Sequence, residues 1–185
     1  MKRCCLLLLL LTACGSKSEA PVPTGPTLPT QSVEILVDDM GVAHIYAEND
    51  ADLYFAYGYQ LASDRMLQLA MFRRFAHGRL CEVLGPAGPG SAGDNSLMDD
   101  RFARIFNWKY WGKLDADWMK ENEPVDYALV SAWVAGINKR VAEIRSGSVP
   151  PPFGFDDLDF LPESWSADDP YIVQKMVGFG LDQTI

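Results

Sequence analysis

The sequence is poor in cysteine: only four of its 185 residues are Cys, and three of these lie within the first 14 positions. So few thiols exclude a disulfide framework. Cys4 and Cys5 fall in a segment that is typical of a targeting signal, so Cys81 is the free thiol of the folded part. We expect Cys81, in the stretch GRLCEVLG, to be a small buried apolar residue without a catalytic role.

Positive charge is scarce as well. The 16 Lys and Arg residues are outnumbered by 25 Asp and Glu, which gives a net charge of −9 and an isoelectric point near 4.6. Such an acidic chain disfavours nucleic acid as a partner and has no polybasic patch for a membrane surface. Apolar residues make up 48% of the chain, so we expect one folded domain or a large piece of one.

The leucine run from Leu6 to Leu11 is far too short to span a bilayer. It follows the positive pair Lys2-Arg3 and leads into Leu-Thr-Ala-Cys14, an order that resembles a bacterial lipoprotein signal. An ordinary signal peptide or a chance leucine run is the alternative. We favour the lipoprotein because a cysteine stands where lipidation needs it, with residues 1–13 removed as the signal.

Residues 14–31 predict a tether, because the stretch GSKSEAPVPTGPTLPTQ is rich in Pro, Thr and Ser and cannot form a core. With Cys14 acylated, the protein would face the periplasm of a bacterial cell envelope and contact the membrane only through its lipid anchor. Gly15 follows the cysteine, which favours the outer membrane over the inner one by resemblance to lipoprotein sorting rules.

Residues 32–185 predict an α+β fold that is mostly helical, with one strand pair at the start. The apolar runs Val33–Val37 and Val42–Ala47 are separated by the turn residues Asp-Asp-Met-Gly, which predicts a β-hairpin. His44 lies in the second strand, and without a Ser or Cys partner we expect it to be a packed, hydrogen-bonded histidine.

A long helix is predicted over residues 51–76, with Asn49 or Asp50 as its N-cap. Gly58 predicts a kink or a close-packing point, and Gly78 is a plausible stop. Further along, residues 85–96 predict a loop and a helix is expected to begin near residue 97. A third helix is predicted from Pro124. Its apolar face comprises Trp133, Ile137, Val141 and Ile144.

A long irregular connection follows this helix, and the last helix is then predicted to begin after a capping box at Ser166–Asp169. The last helix is still apolar near Leu181, and no polar tail follows it. We therefore expect the domain to continue past Ile185, with this chain truncated at its C-terminal end.

The stretch YQLASDRMLQLAMFRRF, residues 59–75, contains no Pro, no Gly and no β-branched residue, and its apolar side chains surround nearly the whole helix. Asp64, Arg65 and Gln68 share one arc of it. Gln68 lies one turn from the other two and could bridge them. Because buried charges are costly unless they are paired, such a cluster is more often structural than catalytic.

These segments together resemble the start of the penicillin acylase (penicillin amidase) family of N-terminal-nucleophile hydrolases. The family pattern includes D-x-x-G-V-P-H-I-x-A, then G-Y-x-x-A-x-D-R-x-x-Q-M-x-x-x-R-R, then G-x-x-A-E-x-L-G. Ala43 replaces the usual Pro and Leu69 the usual Met, and FLPESWSADDPYIVQKMVGFGL resembles a later family helix. The matching positions are Asp38, Gly41, Val42, His44, Ile45, Ala47, Gly58, Tyr59, Ala62, Asp64, Arg65, Gln68, Arg73, Arg74, Gly78, Glu82, Leu84 and Gly85.

The resemblance implies that residues 32–185 belong to the α part of a precursor with the four-layer αββα fold of N-terminal-nucleophile hydrolases. The helix over residues 51–76 would pack against a catalytic β part that self-cleavage releases from the same chain. Asp64, Arg65 and Gln68 would then be structural groups satisfied across that junction. Without the β part, this helix would expose a large apolar face.

The resemblance also implies an amidohydrolase that cleaves an acyl group from an amine, as in penicillin, cephalosporin or N-acyl-homoserine lactone amides. The family's nucleophile is an N-terminal Ser of the β part, whose own amine serves as the base. No such residue is indicated before Ile185, so we expect no catalytic residue here and no activity from this chain alone. The alternative is a lipoprotein relic or a binding pseudo-enzyme, which the sequence after Ile185 would distinguish.

Family resemblance further places the acyl-pocket wall on the last helix, at Val177, Gly180 and Leu181. None of the Met, Arg and Phe side chains of phenylacetyl-specific members is retained there, which implies an aliphatic or bulkier acyl group. No cofactor is expected apart from calcium, which the family resemblance suggests. Its main ligands would lie outside this chain, and Asp182 is a weak candidate within it.

Replacing Cys14 by Ala should abolish lipid attachment and leave the unprocessed precursor, because the acylated thiol is lost. Incorporation of radiolabelled palmitate in the bacterial host measures this directly. The matched control is Cys81→Ala, which should label like the unchanged protein. Equal labelling of Cys14→Ala and the unchanged protein would refute the lipoprotein signal.

Overall fold

A computed structural model of the chain describes residues 28–86 and 95–182. Cys14, the signal segment and most of the tether lie outside these residues. The predicted mostly helical piece with an N-terminal strand pair is confirmed. Its elements are β1 (Glu34–Val37), β2 (Ala43–Tyr46), α1 (Asp50–Ala76), α2 (Cys81–Leu84), α3 (Ser96–Phe106), α4 (Trp108–Asn122), α5 (Pro124–Arg145) and α6 (Asp169–Asp182).

Strands β1 and β2 form the predicted antiparallel hairpin, with Glu34 opposite Tyr46 and Val37 opposite Ala43. Asp38 closes the turn, because its Oδ1 accepts hydrogen bonds of 2.9 Å from the backbone N–H groups of Met40 and Val42. Hairpins of two four-residue strands are marginally stable by themselves.

The expectation for His44 is half wrong. Its Nε2 does lie 3.1 Å from Asp38 Oδ2, so the ring is hydrogen-bonded, but 48% of the side chain is exposed. The physical reason is the period of two in a strand. Ala43 and Ile45 line a groove against α1, so His44 between them points away from the helix.

The core forms where α1 packs on α5. Two glycines allow the helices to approach closely: a Cβ on Gly58 would lie 2.0 Å from the carbonyl oxygen of Trp133, and one on Gly136 would lie 1.9 Å from that of Phe55. The buried core residues around this crossing are Ala62, Met66, Ala70, Val134, Ile137, Val141, Ile144, Phe155 and Trp165. Of the predicted α5 face, three residues are buried and Trp133 is half-buried.

Gly58 is therefore a close-packing point, and α1 kinks elsewhere. The non-helical backbone lies at Arg65, with φ −131° and ψ 26°. Two residues earlier, the Ser63 hydroxyl donates a 2.8 Å hydrogen bond to the carbonyl of Tyr59. A side chain that bonds the carbonyl four residues before it is a recognised cause of helix bending.

Only one side of α1 is buried. Ala62, Met66 and Ala70 face α5, whereas Tyr57 is 51% exposed and Phe72 is 41% exposed on the other side. No helix in the described ranges is both long and apolar enough to cross a membrane. Within the described residues, the apolar surface of α1 is thus covered on one side and largely uncovered on the other.

The sequence reading missed helix α4, which Asn107 separates from α3. Asn107 adopts the left-handed conformation, with φ 53°, and this redirects the chain between the two helices. Gly112 of α4 allows α6 to pack closely, since a Cβ at this position would lie 2.5 Å from Ile172 Cα. The predicted capping contact at the start of α6 is present, because Asp169 Oδ2 accepts a 2.7 Å bond from the N–H of Ser166.

Replacing Gly58 by Ala should destabilise the protein, although Gly to Ala inside a helix is ordinarily stabilising by about 1 kcal/mol. The added methyl group would collide with the α5 backbone at Trp133, and overpacking of this kind costs about 1–3 kcal/mol or more. Melting of the full-length protein measures the effect. Gly178→Ala in α6 is the matched control, because nothing lies within 4 Å of its Cβ position, and it should not lower the melting temperature.

Candidate functional site

The densest cluster of charge lies at the C-terminal end of α1, where three arginines surround Glu163. Arg73 Nη1 lies 2.8 Å from one carboxylate oxygen of Glu163, and Arg74 Nη2 lies 3.2 Å from the other. Arg79 binds both oxygens at 2.9 Å. Multiple bonds from planar guanidinium groups to one carboxylate are strong and directional. We call these residues, with Asp169 and His77, the arginine network.

Asp169 is the second carboxylate of the arginine network and the first residue of α6. Its side chain is only 1% exposed. One oxygen accepts bonds from Arg73 Nε at 2.8 Å and from the Ser166 N–H at 2.7 Å, while the other lies 2.7 Å from His77 Nε2. Arg73 therefore joins Glu163 to Asp169, and it ties the end of α1 to the start of α6.

The arginines stabilise the charged forms of both carboxylates. Hydrogen bonds from Arg79 and Arg73 lower the pKa of Glu163 to about 2, against the opposing effect of burial. Burial acts to raise the pKa of Asp169, but the His77 hydrogen bond and the charge of Arg73 outweigh it and the pKa is lowered. Both groups are thus ionised at neutral pH, as a structural ion-pair network requires.

Two further carboxylates fix the chain at other points. Asp52 is fully buried and accepts bonds from the N–H groups of Thr30 at 2.7 Å and Gln31 at 2.9 Å, so the end of the tether is attached to the start of α1. Asp100 accepts bonds from the N–H groups of Leu80 at 2.6 Å and Cys81 at 3.1 Å. These groups bond to backbone, which is a structural arrangement.

Cys81 is half-buried, less than the sequence suggested, and its thiol donates a 3.6 Å hydrogen bond to the Ser96 hydroxyl at the start of α3. Burial raises the pKa of the Cys81 thiol, and this effect keeps it in the unreactive protonated form.

The predicted cluster of Asp64, Arg65 and Gln68 is exposed on α1. Asp64 accepts its hydrogen bonds from Gln60, at 3.0 and 3.2 Å, and Gln68 does not bridge Asp64 and Arg65. Apart from Asp52 near its start, the most buried charged side chains of α1 are Arg73 and Arg74 in its last turn, and His77 follows at the C-cap. The sequence signal was the pair Arg73-Arg74 beside apolar residues, but its carboxylate partners lie some 90 positions away.

The family to which the chain belongs is identified by its sequence. Residues 32–185 match the sequence profile of the family described as penicillin amidase. The chain belongs to the penicillin amidase family. This confirms the resemblance carried by the hairpin, α1 and α6, and it accounts for the mostly helical fold.

Relatives of this chain are known from several bacteria. The chain is 28% identical over 148 residues to penicillin G acylase of Escherichia coli, covering 78% of this chain and 16% of that protein. It is 28% identical over 151 residues to the acyl-homoserine lactone acylase QuiP of Pseudomonas aeruginosa, covering 82% and 16%. The chain thus spans about one sixth of the length of these curated relatives.

A solved structure of the thermostable penicillin G acylase from Alcaligenes faecalis has the same fold over most of this region. The TM-score is 0.68 at 27% sequence identity, and the match covers 84% of this chain and 77% of that chain. The described residues hold one two-stranded sheet, so they do not show the four-layer fold that the family resemblance implies.

The residues expected at the acyl pocket lie in the last turns of α6. Val177, Gly180 and Leu181 are exposed there. Asp182 is the final residue of α6. Across the described ranges no group of three or more His, Cys, Asp or Glu side chains is placed to hold a metal ion.

Replacing Glu163 by Gln should remove a pH-dependent part of the stability. Because the folded pKa, about 2, lies below the ordinary value of 4.5, this stabilisation is full above pH 4.5 and is lost as pH falls towards 2. The difference in melting temperature between the unchanged protein and Glu163→Gln should therefore be large at pH 6 and shrink at pH 3.

Glu121→Gln is the control for this measurement, because Glu121 is an exposed carboxylate of α4 outside the arginine network. It should melt like the unchanged protein at both values of pH. A melting difference for Glu163→Gln that stayed constant between pH 6 and pH 3 would contradict the depressed pKa of Glu163.

Proposed function

We propose that residues 32–185 are the α part of an exported amidohydrolase that cleaves an acyl group from an amine. The observation that carries this proposal is the size of the matched chains. The alignment covers 77% of the chain in the Alcaligenes faecalis structure but only 16% of the Escherichia coli protein. The matched region therefore corresponds to most of one separate chain, and a similar Pseudomonas protein is named a proenzyme.

The uncovered apolar surface supports a large partner for this region. Among the described residues both outer edges of the hairpin are unpaired, whereas β-proteins normally pair or protect such edges. Large exposed apolar patches mark interfaces, and we assign this one to the catalytic β part of the same precursor. The exposed apolar residues on the hairpin and α1 are Leu36, Val37, Met40, Val42, Tyr46, Leu53, Tyr54, Tyr57 and Phe72.

The exposed polar residues of α1 fit the same partner. Asp64, Arg65 and Gln68 lie on the side of α1 that α5 leaves open. Under a β part they would be removed from water, so their charges would need partners there. We propose that they are satisfied across this junction as structural groups.

In the proposed reaction this chain supplies binding surface, and the β part supplies the chemistry. The family resemblance places the nucleophile on an N-terminal Ser of the β part, with its own amine as the base. The exposed turns of α6 would then form a wall of the acyl pocket through Val177, Gly180 and Leu181. These small and aliphatic side chains lack a ring to pack against a phenyl group, so we propose an aliphatic or bulkier acyl group.

Location and metal binding follow from the same resemblance. We propose lipid anchoring at Cys14, with the enzyme facing the periplasm. Its substrates would then be small amides that reach that compartment. Calcium, if the complete enzyme binds it, would take its main ligands from outside residues 1–185, with Asp182 as the candidate from this chain.

The full-length protein, expressed from its gene with whatever follows Ile185, tests the proposed function. We expect cleavage into two polypeptides, the second beginning with Ser, and release of free amine from a panel of N-acyl amides of increasing acyl length. Replacing that new N-terminal Ser by Ala should abolish both events. A stop codon soon after Ile185, or an uncleaved folded protein without amidase activity, would favour the relic or binding pseudo-enzyme instead.

A further inference from the structure

Arg73 is the only described residue that bonds to both carboxylates of the arginine network, Glu163 and Asp169. From this geometry we infer that Arg73 is a positioning residue for the acyl pocket. It fixes the start of α6 and thereby sets where the far end of α6 stands. This inference rests on the proposed function for the role of α6, but the contacts that define it are independent of that role.

The anchor at the start of α6 is rigid because Glu163 is itself held from three sides. Arg74 and Arg79 also bond to Glu163, so its carboxylate stays in place when Arg73 binds it. Arg73 links this fixed carboxylate to that of Asp169, whose side chain is almost completely buried. Bidentate guanidinium geometry restricts direction as well as distance.

The far end of α6 is held less firmly than its start. Lys175 forms an ion pair with Asp115 at 2.5 Å, but both side chains are more than a third exposed, and exposed pairs contribute little. Phe179 packs on the buried ring of Trp108 and on the rings of Phe102 and Phe106, which are each 39% exposed. The burial of α6 therefore decreases from Asp169 towards the turns that carry the proposed pocket residues.

Helix geometry makes this arrangement sensitive to the anchor. Leu181 lies 12 residues after Asp169, so the two are about 18 Å apart along the axis, and a tilt of about 5° at Asp169 would move Leu181 by about 1.6 Å. Displacements of about 1 Å in an active site can cost roughly 100-fold in rate. A residue that touches no substrate can thus determine which acyl group fits.

The test compares Arg73→Lys with Arg79→Lys in the full-length enzyme. Each variant keeps the positive charge and loses the guanidinium fork, and each residue bonds to Glu163. The hydrogen bonds and ion pairs of Arg79 in the described structure go to Glu82 and Glu163, and none goes to α6. We expect Arg73→Lys to reduce the preference between long and short acyl groups by about tenfold, mainly through KM. Arg79→Lys should keep that preference within about twofold of the unchanged enzyme.

Hydrogen exchange of the α6 backbone amides, measured on the same proteins, gives a readout that needs no substrate. Residues 173–181 should exchange faster in Arg73→Lys than in Arg79→Lys, with α5 unchanged in both. Asp169→Asn keeps the size of the side chain and should increase exchange in α6 as Arg73→Lys does. If Arg73→Lys does not fold, Asp169→Asn serves as the test variant instead.

The two proposals fail in different ways. Arg73→Lys could lower the amount of active protein and leave both the α6 exchange rates and KM unchanged. In that case Arg73 is structural only, and the positioning inference is overturned. If the full-length protein hydrolyses no amide while α6 still loosens selectively, the proposed function fails and Arg73 remains the anchor of α6.

Discussion

The ion pairing between Arg73 and two carboxylates is the constraint on which the rest of this fold depends. It joins the end of α1 to Glu163, in the irregular segment that precedes α6, and to Asp169 at the start of α6. Ions with little exposure to water are tolerated only when their partners and hydrogen bonds are complete. Here the carboxylates meet that condition with Arg74, Arg79, His77 and a backbone N–H group. The carboxylate partners of Arg73 in the described structure are Glu163 and Asp169, so another path for this segment would leave Arg73 without a charged partner.

The second constraint is the close crossing of α1 and α5. Gly58 and Gly136 bring the two backbones together, so the core on that side is complete within this chain. On the other side α1 and the hairpin present apolar and polar side chains to solvent. The chain, which spans about one sixth of its relatives, thus contains a packed core on one side of α1 and an exposed apolar surface on the other, to which we assign the proposed β part. Membership of the penicillin amidase family and this incomplete surface lead to the same proposal.

The arginine network and the proposed pocket residues lie at opposite ends of α6, and this gives a structural cluster a proposed influence on specificity. Asp169 is buried at the start of α6, and Val177 and Leu181 are exposed near its end. Because a helix transmits orientation along its axis, firm attachment at one end leaves the other end free to present its side chains to a ligand. Selectivity for an acyl group can therefore depend on charges that never contact it.

The sequence by itself determined the local elements, because their signals lie within a few residues. The Asp38–Gly41 turn defined the hairpin, Asn49 the start of α1, Pro124 the start of α5, and Ser166 with Asp169 the start of α6. The spacing of the motifs also indicated the family, which the family comparison confirmed. Helix α4 was missed because its boundary is a single left-handed residue, Asn107, which has no periodic signal.

Only the tertiary structure decided which polar residues are buried. Periodicity placed Asp64, Arg65 and Gln68 on a helix, yet they are exposed because α5 covers the opposite side. The buried charges proved to be Arg73 and Arg74, whose partner Glu163 is 89 to 90 residues away in the sequence. Local pattern fixes the face on which a side chain stands, but the burial of that face depends on which distant segment folds against it.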